Sequence, residues 1–545
     1  MAQSKDLSQD PQQQRLIRRM FTGLVLVMLM SSMNQNIISP SLPTIVGDLS
    51  GVDHMSWVIT AFILVSTIMM PIYGKVSDMF GRKPFLYLAI LAFAAGSVLG
   101  ALAPNMTTLI LARALQGFGG GGLMILPQSI IADRIPARQR GKYMGIIGGV
   151  FAFSSVAGPL LGGWITEGPG WRWSFWLNVP LAALALLATY FFIPGSVARA
   201  KVGKQQIDYL GMAVLAAATS LLVMLTIWGG NFFAWLSWPS FALLASVLLL
   251  ALLLFFIEAR AAEPVLPLML FKDRNFNMTI LASLALGIAM FGAIGYMPTY
   301  FQMVLEVSPT AAGLLMTPMM AALLISSTLV GAVVSKTGRY KPFILLGTGL
   351  VCLALGLMST LKLGAPTWLI CLYLALLGVG LGMSLQFLTL VVQNSFSPAI
   401  VGTATAANNY FRQVGSTVGS SLIGGLFTGR LTGFLQERLS AQPSSGAAGQ
   451  LDASSLTPAG LQGLAEPVRQ LVVAAYHDAL IPLFLGLAPL AGLSLILLCF
   501  IQEKPLATSV VRDDTVTLTG ALPTVGQDLA GPAESEQNLH RSSRP

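Results

Sequence analysis

Long stretches of this chain carry no charged residue, and between Asp208 and Glu258 there is none at all. An apolar run of about 18 residues or more spans the roughly 30 Å hydrocarbon core of a bilayer as a helix. Such runs recur near 21–45, 56–74, 85–103, 107–131, 143–166, 173–194, 208–229, 239–258, 276–302, 311–335, 342–361, 367–391, 401–429 and 478–501. The fold class they imply is an all-α integral membrane protein with fourteen spans. Composition agrees, since 54% of residues are hydrophobic and 10% charged, against roughly 25% charged in soluble proteins.

A net charge of +9 suggests nucleic acid only where the basic residues form a patch, and here they sit in short loops between apolar runs. One set of loops holds Lys75, Arg82 and Lys83, then Arg134, Arg138, Arg140 and Lys142, then Arg199, Lys201 and Lys204, then Arg260, Lys272 and Arg274, then Lys336, Arg339 and Lys341. The opposite set, with Asp48, Asp53, Glu167, Arg172, Glu306 and Lys362, has little net positive charge. By the positive-inside rule the first set is cytoplasmic, and an even number of spans puts both termini inside. Arg15, Arg18 and Arg19 before the first span agree. The polar start leads into a run too long for a signal-peptide core, so the first span is expected to remain as an anchor.

Two segments repeat: Gly74-Lys-Val-Ser-Asp78-Met-Phe-Gly81-Arg82-Lys83-Pro84 and Gly331-Ala-Val-Val-Ser335-Lys-Thr-Gly338-Arg339-Tyr-Lys341-Pro342. Each follows the second span of a six-span half, a parallel repeat used by transporters that bind substrate between the halves. The expected division is an N-terminal cytoplasmic tail at 1–20, a six-helix half at 21–194, and a linker with two extra spans at 195–275. A second six-helix half follows at 276–502 with an extracytoplasmic loop at 430–476, and a disordered cytoplasmic tail closes the chain at 503–545. That loop holds a short amphipathic pattern near Leu461 to Ala475.

Several residues stand out within this frame. In the 74–84 loop, Gly74 and Gly81 permit a tight exit from the helix, and Asp78 lies among Arg82, Lys83 and Lys75. An acid so placed can pair with an arginine or face a helix N-terminus, in contacts that break and re-form as two halves rock. Arg113 lies inside the fourth span with Gln116 on the same helix face. A charge at that depth faces a partner or a wet cavity, or else snorkels to the interface. Gly145, Gly158, Pro159, Gly162 and Gly163 give the fifth span a small-residue face and a kink, suited to close packing between halves or to packing alone. Asn408, Asn409 and Arg412 of the thirteenth span, with Gln386 of the twelfth, line a cavity or join helices. The first span offers the amides Asn34, Gln35 and Asn36 in place of an acid. No Asp or Glu lies near the middle of any span.

Other chemistries find little support. Cys352, Cys371 and Cys499 lie in apolar runs without a CxxC pair. His54, His477 and His540 are scattered, so no metal centre is expected. The Gly119–Gly122 run lacks the Lys-Ser or Lys-Thr of a phosphate-cradling loop. The chain is expected to be no enzyme and to carry no cofactor.

The 74–84 loop, Arg113-Ala-Leu-Gln116-Gly117, Gly158-Pro159-Leu-Leu-Gly162-Gly163, Trp171-Arg172-Trp173 through Asn178-Val179-Pro180, and Phe411-Arg412-Gln413 together resemble the fourteen-helix drug:proton antiporter branch of the major facilitator superfamily, the EmrB/QacA-like transporters. The resemblance covers about residues 20–500. It implies two six-helix halves plus two inserted helices, a multi-pass location in a bacterial cytoplasmic membrane, and export of lipophilic small molecules by alternating access coupled to protons. The implied partners are a small lipophilic substrate, protons and the lipid bilayer, with no nucleic acid, and the implied state is a monomer. Asn34 stands at the family's acidic first-span position, where the acid is associated with proton or cationic-drug handling, and Ser335 stands where the first repeat has Asp78. A dedicated exporter of one metabolite, lipid or peptide with altered or absent proton coupling is the alternative, and a non-transporting receptor or scaffold is a third reading that the intact gating loop opposes.

Overall fold

The structure is a computed structural model, and it describes residues 11–49, 54–193, 206–229, 233–440, 461 and 464–507. The basic loop at Arg199, Lys201 and Lys204, the middle of the 430–476 segment and the tail beyond 507 therefore lie outside the described residues.

Fourteen long helices follow one another among the described residues. They are α1 (Pro11–Asp48), α2 (Met55–Phe80), α3 (Arg82–Ala101), α4 (Met106–Arg134), α5 (Ala137–Glu167), α6 (Trp173–Phe192), α7 (Tyr209–Trp228) and α8 (Trp238–Arg260). Then come α9 (Arg274–Val304), α10 (Pro309–Thr337), α11 (Lys341–Met358), α12 (Thr367–Ser395), α13 (Val401–Ser440) and α14 (Glu466–Cys499). Short turns interrupt α6, α9, α10 and α14. Polar side chains start several helices: Asn105 accepts from Thr108 N at 2.9 Å, Asp208 from Gly211 N at 2.8 Å and Asp273 from Phe276 N at 2.9 Å. Each satisfies an orphan donor of the first turn.

Thirteen of these helices are apolar and long enough to cross a membrane. The exception, α13, is long enough but carries Asn408, Asn409, Arg412 and Gln413. Its polarity points into protein, since Asn408 is 0% and Asn409 3% exposed. It runs to Ser440, into the stretch read from sequence as a loop, and the amphipathic pattern near 461–475 belongs to the first part of α14, which begins at Glu466. Arg438 forms an ion pair with Asp478 where these helix ends meet.

Packing repeats with an offset of eight helices. In the first half α1 packs on α5 and α6, α2 on α4, and α3 on α4 and α6. In the second, α9 packs on α13 and α14, α10 on α12, and α11 on α12 and α14. The contacts between halves are related in the same way, with α2 against α13 and α5 against α10. Each half has its own apolar core, around Leu24, Phe93 and Leu126 in one and Leu286, Leu377 and Phe387 in the other. A small cluster of Met70, Ile125 and Ala406 joins them. The inserted α8 packs on α7 and is otherwise exposed, which suits a helix facing lipid.

The glycines of α5 divide between two neighbours. A Cβ on Gly145 would lie 2.6 Å from the Ser327 carbonyl oxygen of α10, so Gly145 serves the contact between halves. Gly158 and Gly162 instead sit against Asn36 and Ile37 of α1, within the first half, and Gly163 has open space at its Cβ position. Of the two packing roles open to this face, Gly145 takes the one between halves and Gly158 and Gly162 the one within a half, with Pro159 half-buried beside the α1 contact. Gly162→Ala is expected to destabilise by about 1–3 kcal/mol through overpacking against fixed backbone, whereas Gly163→Ala should be neutral or gain up to about 1 kcal/mol of helix propensity. Thermal midpoints of the two purified variants in one detergent check this, and equal losses would refute it.

Candidate functional site

Two polar centres lie within the bundle. The first is built on Arg113 of α4, which is 2% exposed and enclosed by α1, α2 and α4. Its Nε donates to the Val58 carbonyl at 3.0 Å, and one terminal nitrogen donates to Asn34 Oδ1 at 2.6 Å and Gln116 Oε1 at 2.8 Å. The guanidinium lies 4.4 Å over the Phe62 ring, a favourable cation–π arrangement. Gln116 is held in turn: its Nε2 donates to Ser97 Oγ at 2.7 Å, and Ser97 donates to the Phe93 carbonyl at 2.8 Å. Gly96 makes room for this, because a Cβ there would sit 2.6 Å from Gln116 N. Sequence offered a wet cavity, a partner or the interface for Arg113, and the structure gives it neutral partners in a closed surround.

The second centre lies at the end of the bundle that carries Lys75, Arg82, Arg138 and Lys142. Asp78 Oδ2 accepts from Thr403 N at 2.7 Å and Thr403 Oγ1 at 2.8 Å, while Oδ1 pairs with Arg82 at 2.7 Å. Thr403 lies in the first turn of α13, so a carboxylate of one half caps a helix of the other, where orphan N–H groups and the helix dipole favour an anion. Arg82 also binds Asp133 at the end of α4. Gly74 lets α2 approach, since a Cβ there would lie 3.0 Å from the Gly402 carbonyl, and Gly81 turns the chain with φ 97°. Lys83 plays no part here; its Nζ donates to the carbonyls of Ile193 at 2.6 Å and Tyr190 at 3.3 Å, which caps the end of α6.

The second repeat holds α5 in a matching way. Ser335 Oγ accepts from Lys142 N at 3.0 Å, and Arg138 donates to the Lys336 carbonyl at 2.8 Å. Around both contacts, Arg140 is 7% exposed and donates to the carbonyls of Ile135, Ala132 and Gln393. Gln393 Nε2 donates to the Gln128 carbonyl at 3.3 Å.

The polar residues of α12 and α13 separate by partner. Asn408 stays within the second half, accepting from Ser283 at 2.8 Å. Asn409 reaches across to Gln128 Oε1 at 3.1 Å, and Arg412 donates to Asn409 Oδ1 at 2.6 Å. Gln386 is buried beside Gly148 of α5, whereas Gln35 is exposed. Sequence reading missed Ser97, Gln128, Asp133 and Thr403, whose importance rests on partners far away in the chain. Arg140 was visible only as one of a run of topology charges.

Removing the Asp78 carboxylate leaves Arg82 with Asp133 alone and the α13 cap unfilled, a loss of about 1.5–3 kcal/mol for the charge-assisted hydrogen bonds. Asp78→Ala is therefore expected to loosen the seam, and a cysteine introduced as Ala406→Cys should react with a soluble maleimide at least tenfold faster in that background. Unchanged labelling would mean that Asp78 does not hold the seam.

The family profile of the Major Facilitator Superfamily matches residues 24–208 and again 209–420. An uncharacterized MFS-type transporter of Mycobacterium tuberculosis is 38% identical over 91% of this chain and 70% of its own length. The multidrug transporter protein MdtP of Bacillus subtilis is 35% identical over 85% of this chain and 87% of its own. Among solved structures, the human organic anion transporter MFSD10 superposes with a TM-score of 0.60 at 16% identity, covering 90% of this chain and 100% of that one. With its duplicated six-helix packing and matched seams, the chain belongs to the major facilitator superfamily and is a multi-pass transporter of the cell membrane.

Proposed function

We propose that this transporter exports lipophilic small molecules from the cytoplasm by alternating access, as a member of the fourteen-helix drug:proton antiporter branch. The observation that carries the reading is the seam at one end of the bundle. Two related contacts, Asp78 to Thr403 and Ser335 to Lys142, close it through hydrogen bonds and small residues that can part without dismantling either core. The Lys and Arg loops at that end support a cytoplasmic placement, with both termini on the same side. A pump poised in this way is closed to the cytoplasm. The relative MdtP is named a multidrug transporter.

In this reading Arg113, Gln116, Asn34 and Gln35 from one half, and Gln386, Asn408, Asn409 and Arg412 from the other, supply the polar groups of the substrate path. Asp78, Arg82, Gly74 and Gly81 work the gate. Proton antiport supplies the energy. The neutral Asn34 beside Arg113 favours a second reading, in which export runs without proton exchange at that centre.

Cells lacking other pumps and carrying this chain are expected to clear the neutral lipophile Nile red at least about tenfold faster than cells carrying Asp78→Ala, equivalent to about 1.4 kcal/mol. A protonophore should abolish the difference under antiport and leave downhill efflux under the second reading. Retention of the dye despite membrane-inserted protein would refute export of lipophiles.

A further inference from the structure

We propose that the Arg113 centre binds the anionic group of an exported amphiphile, a carboxylate or sulfonate, so that anionic lipophiles are preferred over cationic ones. This rests on the export reading above and narrows its substrate class.

The argument starts from donors. A guanidinium carries five N–H groups and no acceptor, so Asn34 can meet Arg113 only through Oδ1. That contact, at 2.6 Å, turns the amide nitrogen away, and Asn34 Nδ2 is buried with no hydrogen-bond partner. Gln116 cannot turn to help, because Ser97 fixes its amide. The centre therefore joins a buried cation, served only by neutral acceptors, to a buried donor with none.

Charge points the same way. Among the described residues no carboxylate pairs with Arg113, or with Arg412, whose described partner is Asn409. The carboxylates nearest the two centres are engaged elsewhere: Asp78 and Asp133 pair with Arg82, Asp48 accepts from Trp171 and Glu258 from Leu266 N. Buried Arg113 and part-buried Arg412 thus lie in opposite halves, each without a carboxylate partner among the described residues. Desolvated charge seeks a counter-charge. An acceptor-only group with two or three oxygens satisfies Arg113 and Asn34 Nδ2 together, whereas a cationic ligand meets donors and repulsion.

Two xanthene dyes that share a ring system test this in pump-deficient cells: fluorescein, which bears a free carboxylate, and rhodamine 6G, a cationic ester. The chain is expected to export fluorescein at least tenfold faster than rhodamine 6G. Asn34→Asp, which supplies a carboxylate to Arg113 at nearly constant volume, should cut that preference at least tenfold. Arg113→Gln should do the same, with membrane-inserted protein measured in parallel. Equal or faster export of rhodamine 6G, or an unchanged preference in Asn34→Asp, overturns the proposal. Export of Nile red without fluorescein overturns it while leaving lipophile export standing, and retention of all three dyes overturns both.

Discussion

Every polar group carried into a bilayer must find its partner within the protein, because hydrocarbon offers none. That constraint shapes this structure at each level. It makes the spans helical, and it turns their hydroxyls back onto their own backbone, as with Ser97 onto the Phe93 carbonyl, Thr219 onto Leu215 and Ser384 onto Gly380. It also requires helices to approach closely where longer polar chains must reach across. Gly96 admits Gln116, and Gly74 brings α2 against α13. The polarity of α13 is tolerated for the same reason, since Asn408 and Asn409 are partnered inside.

The seam between halves shows how a duplicated frame becomes asymmetric. The loops after α2 and α10 occupy related places, and each presents an acceptor to a backbone N–H of the helix it meets. In the first repeat that acceptor is a carboxylate tied to Arg82; in the second it is the Ser335 hydroxyl. A charged acceptor at a helix start gains from the dipole and from charge-assisted hydrogen bonds, each roughly twice as strong as a neutral one. The α2–α13 contact is thus the stronger polar latch. The α5–α10 contact relies on Gly141, Gly145 and Gly331 set against backbone, a joint made mainly by packing.

Much of this was legible in the chain itself. Uncharged runs long enough to span a bilayer give the helices, and the Gly74 and Gly331 repeats give the duplication, because both depend on local composition. The limits are equally physical. Lys83 reads as a member of the gate from its neighbours, yet its long side chain reaches the carbonyls of α6. Gly163 reads as a packing residue beside Gly162, yet a step of about 100° around the helix turns it away from α1. The pairing of Asp78 with Thr403 joins residues 325 positions apart, and no local pattern marks Thr403.

The inserted helices meet both halves at the seam. Thr219 of α7 and Tyr410 of α13 share a hydrogen bond of 2.9 Å. Leu215 of α7 and Val265 and Leu266 of the following connection join a buried cluster with Ala404, Ala407 and Tyr410 of α13. Toward the first half, Lys75 and Glu263 form an ion pair of 2.6 Å, with the glutamate side chain 22% exposed. Burial of several apolar side chains around a satisfied hydroxyl pair contributes several kcal/mol, whereas a part-exposed ion pair contributes at most about 1 kcal/mol. α7 packs against both α2 and α13, so the inserted pair lies across the seam between the halves. The second family match begins at residue 209, at the start of α7.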